Sequence, residues 1–65
     1  MKYYINRMNV TRAEVVEALT EEYMTPEMRL RELERKARAE GRAQTDLYVD
    51  APAGGSVRMI ITVTA

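Results

Sequence analysis

"AQTDLYVDAPAGGSVRMIITVT", residues 43–64, decides the fold. On either side of the turn cluster APAGG, side-chain character alternates with a period of two. Ala43, Thr45, Leu47 and Val49 alternate with Gln44, Asp46, Tyr48 and Asp50. After the turn, Val57, Met59, Ile61 and Val63 alternate with Arg58, Ile60, Thr62 and Thr64. Strand side chains point to opposite faces in turn, so two such segments around a Gly- and Pro-containing turn predict a β-hairpin. Setting Val49 against Val57 and Leu47 against Met59 brings both apolar sets to one face. The last strand is the most apolar on both faces, which places it centrally in the sheet.

Upstream of Gly41 the period is helical. "PEMRLRELERKARAE" (26–40) carries Leu30, Leu33 and Ala37 as one stripe, with Pro26 at the first helical position, Thr25 as N-cap and Gly41 as the closing residue. Before it, a helix over about 12–23 shows Val15, Val16, Leu19 and Tyr23 on one face. Thr11 and Glu14 have the spacing of a capping box. So short a link predicts an antiparallel helical hairpin. "KYYINRM" (2–8), aromatic and β-branched without helical periodicity, reads as one strand. The expected fold is α+β, in the order β-α-α-β-β. The helical hairpin covers one face of a three-stranded mixed sheet, strand order 2-3-1, with the first strand parallel to the last.

Composition bounds what such a chain does. Sixty-five residues hold one core and therefore one domain. The absence of cysteine removes disulfides and thiolate chemistry. The absence of histidine removes the usual general base and transition-metal ligand. Ser56 has no histidine to activate it, and AGGS is followed by neither a lysine nor a helix, as a phosphate loop requires. Asp46 and Asp50 alone make neither a metal site nor a glycosidase pair. A non-enzymatic protein without cofactor or metal is expected. No apolar run is long enough to span a membrane, so the expected setting is a reducing cytoplasm.

Three surfaces are candidates for binding. Glu14, Glu17 and Glu21 fall on the side of the first helix opposite its apolar face. Glu22 flanks them, and Arg12 is the only basic residue in the segment. This acidic ridge suits a basic partner. Arg31, Arg35, Arg38 and Arg42, at steps of four, three and four, form a line on the second helix that is able to meet phosphates. Glu27, Glu32 and Glu34, however, stand four residues before Arg31, Lys36 and Arg38. That is the favourable order for intrahelical ion pairs, which reads as a self-paired, solvated face. On the sheet face away from the helices, Tyr4, Met8, Tyr48, Arg58 and Ile60 make a third patch, with Tyr48 opposite Arg58 for stacking.

"YYINRMNVTRAEVVEAL" resembles the opening of many small phage and mobile-element proteins, in which a Y-x-I-N strand leads to a capped helix. Tyr3, Ile5, Asn6, Val10, Thr11, Glu14, Ala18 and Leu19 carry the likeness over the first third of the chain. NRMN stands where those proteins commonly have a glycine-containing turn. Size, composition and the acidic helix are similar to those of anti-CRISPR proteins and related phage inhibitors. The resemblance implies a protein that occupies a surface of a host protein or ribonucleoprotein in the host cytoplasm. The open sheet itself leaves the chain a monomer or a homodimer joined through its outer face or a strand edge. The one-sided carboxylate stripe, with no basic partners within its helix, makes Glu14, Glu17, Glu21 and Glu22 the first-choice contact. Binding of nucleic acid by the arginine line is the alternative.

Overall fold

The computed structural model describes all 65 residues. Six elements follow in order: β1 (Lys2–Ile5), β2 (Met8–Val10), α1 (Arg12–Thr20), α2 (Pro26–Glu40), β3 (Arg42–Asp50) and β4 (Ser56–Thr64). They build a two-layer α+β fold, with the helices on one face of a four-stranded sheet of order β2-β1-β4-β3. The hairpin pairs as its alternation requires, with Val49 against Val57 and Leu47 against Met59. β4 is central and β1 lies beside it.

The expected β-α-α-β-β order and three-stranded mixed sheet need correction. KYYINRM is two strands, because Asn6 and Arg7 turn the chain back with φ of 49° and 71°. Two-residue hairpin loops of this kind need positive φ at both positions. Asn accepts it, but Arg does so at a steric cost of about 1–2 kcal/mol. The extra reversal flips every later direction, so β1 runs antiparallel to β4 and the whole sheet is antiparallel. Arg7→Gly is expected to relieve the strain, less what the more flexible unfolded chain costs, a net gain of about 0.5–1 kcal/mol. A higher urea midpoint would show it; an unchanged or lower one would contradict it.

The helices form where the caps are placed. Thr11 Oγ1 accepts from the Glu14 N–H at 3.2 Å, and the Thr11 N–H donates to Glu14 Oε1 at 3.2 Å, completing the capping box. α1 ends at Thr20, short of Tyr23. Pro26 opens α2, but Thr25 makes no side-chain cap bond. Gly41, at φ 89°, closes α2, its N–H donating to the Ala37 carbonyl at 2.7 Å. The core joins Val15 and Leu19 of α1 to Leu30, Leu33 and Ala37 of α2, over Ala43, Leu47, Ile61 and Val63 of the sheet. Tyr3 and Ile5 pack at its edge.

Candidate functional site

At the heart of the charged surface is one buried carboxylate. Glu34 lies roughly 40° around α2 from Leu30 at about 100° per residue, on the border of the apolar stripe. Its side chain is 8% exposed. Arg12, at the start of α1, forks onto it: Nε donates to Oε2 at 2.9 Å and Nη2 to Oε1 at 3.1 Å. The Tyr3 hydroxyl donates to the same Oε2. Arg12 Nη1 also pairs with Glu27. Three elements, β1, α1 and α2, are thus tied through one side chain. The hydrogen bonds from Arg12 hold the Glu34 carboxyl below its ordinary range against the opposing effect of burial, and the Tyr3 bond adds to the lowering. Tyr3 is pushed up, first by its own burial and then by its bond to Glu34.

This network corrects the reading of α2 as self-paired. None of the expected pairs Glu27–Arg31, Glu32–Lys36 and Glu34–Arg38 forms. Arg12 takes Glu27 and Glu34, and Arg29 takes Glu32 at 3.1 Å. The helix rule compares residues along one helix, whereas Arg12 arrives from another with a two-bonded fork, the stronger geometry. Arg31, Arg35 and Arg38 are left exposed without a carboxylate partner. With Arg12, Glu27 and Glu34 they line an open cleft of about 520 Å³.

Arg42 does not belong to that line. Gly41 turns the chain, and Arg42 becomes the first residue of β3, where its Nη2 donates to Gln44 Oε1 at 2.9 Å. It shares a shallow cleft of about 310 Å³ on the bare sheet face with Tyr4, Arg7, Thr62 and Thr64. The sheet-face patch is therefore divided. Tyr48 stands opposite Arg58 as expected, but the Arg58 guanidinium bonds Asp46 at 2.8 Å instead of lying on the ring. The one cation–π contact is Arg29 over Tyr23, at 5.6 Å. Ile60 is half-buried opposite Asp46, its N–H donating to Asn6 Oδ1 at 2.9 Å. Met8 pairs with Ile5, so the extra turn puts it on the helix side and not with Tyr4.

The acidic ridge is exposed throughout: Glu14, Glu17, Glu21 and Glu22 make no ion pair. Glu14 is engaged in the capping box. Glu21 caps the carbonyl end of α1, Glu22 follows, and no basic residue lies in the last turn. Negative charge there meets the negative end of the helix dipole, a placement that costs about 0.3–1 kcal/mol. Beyond it Met24 is fully exposed and Met28 largely so. In the sequence neither methionine breaks a periodic pattern; the one signal is that the stripe Leu30–Leu33–Ala37 leaves Met28 out. No group of three or more carboxylates is placed to hold a metal ion, and no helix is long and apolar enough to cross a membrane.

Fold and site together define a small two-layer α+β protein with an unpaired acidic helix end and an unpaired basic helix face. Comparison of the chain with protein-family models, curated proteins and solved structures found no match.

Proposed function

We propose that the chain is a non-enzymatic protein-interaction module, a small inhibitor of the kind phages encode against host defence complexes. Its acidic end, Glu17, Glu21 and Glu22, docks on a basic, nucleic-acid-binding surface of a host protein or ribonucleoprotein. One observation carries this reading: Glu21 and Glu22 sit at the negative end of α1 without an ion-pair partner, where the helix dipole disfavours their charge. Charges that break a local rule without an internal return point to a partner. Exposed Met24, two residues past Glu22, adds the adaptable apolar contact common at interfaces. Glu14, held by its cap, is a bystander.

The charge argument has a test that needs no partner. Glu21→Lys with Glu22→Lys is expected to raise the thermal midpoint by a few degrees, since about 1 kcal/mol corresponds to roughly 4–8 °C in a domain of this size. An unchanged or lower midpoint would mean that the carboxylates serve the fold.

A second reading is favoured by the unpaired state of Arg31, Arg35 and Arg38. A helix face of that kind binds phosphate backbones in a salt-dependent way. Arg38, in the last turn of α2, already has a structural reason to be basic, which ranks this reading second. Anisotropy with labelled single- and double-stranded DNA or RNA decides it. Association at low salt, weakened in Arg31→Ala with a salt slope smaller by about 0.9, supports it, and no association removes it.

A further inference from the structure

The two edges of the sheet differ. β2, at one edge, is three residues long, which is how proteins usually blunt an edge. β3, at the other, runs for nine residues in unbroken register with β4. It contains no lysine, proline or bulge, and its helix-side residues Ala43, Thr45, Leu47 and Val49 carry no charge. None of the usual guards against strand addition is present except outward-facing charge, and that charge is arranged in a particular way.

The ladder bonds show which backbone groups are free. Ala51 N–H donates to the Gly55 carbonyl at 3.1 Å, and Ala65 N–H to the Gly41 carbonyl at 3.1 Å. Bonded and non-bonded positions alternate along an antiparallel pair. The odd-numbered residues of β3 therefore bond β4, and Arg42, Gln44, Asp46, Tyr48 and Asp50 turn their N–H and C=O groups to the open edge.

We infer that β3 pairs antiparallel with β3 of a second copy, centred on Asp46, to give a two-fold dimer with a continuous eight-stranded sheet. That register overlaps all nine residues and matches free backbone groups with free backbone groups. It sets Arg42 against the partner's Asp50, and Asp50 against the partner's Arg42. Within one chain neither has a countercharge: Arg42 bonds only Gln44, and Asp50 has no ion pair. Gln44 meets the partner's Tyr48. On the helix side Ala43 meets the partner's Val49, and Thr45 the partner's Leu47. The one unfavourable pair, Asp46 with the partner's Asp46, is eased because each carboxylate is already bound by its own Arg58 at 2.8 Å. Strand addition of this kind takes its affinity from main-chain bonds and its register from side chains. Since α1 packs over β1, at the far side of the sheet, the acidic ends of both copies stay open. The pairing does not depend on the function proposed for them.

Sedimentation or light scattering on the intact chain across rising concentration tests this. The mass is expected to rise to twice the 7.5 kDa of one chain. Gln44→Pro removes an edge N–H that β4 does not use, so it should leave the monomer folded by circular dichroism and abolish the dimer. Arg42→Asp alone and Asp50→Arg alone should each weaken dimerisation at least tenfold, and the double swap should restore it. A single-chain mass at the highest concentration overturns the inference. So does a dimer that persists in folded Gln44→Pro, or one indifferent to both single charge changes.

Discussion

Arg12→Met is expected to destabilise the fold by about 3–5 kcal/mol, more than Glu34→Leu at about 1–3 kcal/mol, although both cut the same fork. The asymmetry comes from burial. In the native chain the Glu34 side chain is 8% exposed, and without Arg12 it keeps only Tyr3 as donor. Arg12 is already 37% exposed in the native chain, and without Glu34 it keeps Glu27 and turns to water. For a chain of this length total stability is about 3–10 kcal/mol, so Arg12→Met comes close to unfolding it. Arg12→Met with Glu34→Leu should recover most of the loss, because a buried ion pair is replaceable by apolar packing while a buried lone charge is not. Simply additive losses in urea titrations would refute that coupling.

The same pair predicts a difference in acid. In the native chain Arg12 holds the Glu34 pKa below its unfolded value of about 4.3. The stabilisation is complete above that value and is lost as pH falls through the lower, folded pKa. In Arg12→Met the largest cause of the lowering is gone, while burial still opposes the Tyr3 bond and the charge of Arg38. The folded pKa moves up, and the stability lost in acid shrinks with it. Tyr3, pushed up, adds a loss at the alkaline end, as pH rises past about 10. Thermal midpoints measured from pH 3 to pH 7 should fall toward acid more steeply in the native chain than in the variant. Parallel profiles would show that Glu34 is not buried as described.

The second large effect lies in the core. Leu19, wholly buried where α1 meets the other core residues, should cost about 2–5 kcal/mol when cut to alanine. Ile61→Val, in the middle of β4, removes one methylene and should cost about 0.5–1.5 kcal/mol. In so small a core few neighbours remain to close the Leu19 cavity, so the first variant is expected to be partly unfolded at 25 °C. A urea midpoint that moves equally little for both would mean that α1 is not packed on the sheet.

The parts of the fold that could be read from the sequence are those in which local pattern and tertiary need agree. The β3–β4 register followed from alternation because a slip of one residue would turn Leu47, Ile61 and Val63 outward. The Thr11–Glu14 box and the Gly41 stop rest on chemistry within a few residues of themselves. Arg7 hid the first turn, since arginine does not signal positive φ, and the direction of β1 was lost with it. Among the candidate sites, the exposure of the glutamates and arginines was legible. Their pairing was not, because Arg12 and Glu34 are 22 residues apart and meet only through the fold. The border position of Glu34 beside Leu30 and Leu33 was the one clue that it would be buried.

That the acidic end of α1 is held for a basic partner is tested most directly by capture from host lysate. The native chain and a folded Glu17→Lys, Glu21→Lys variant would serve as paired baits at physiological and high salt. The native chain should retain a protein or ribonucleoprotein with a basic surface, and high salt and the charge reversal should each release it. Equal capture of the same partner by both baits would contradict the assignment of the ridge.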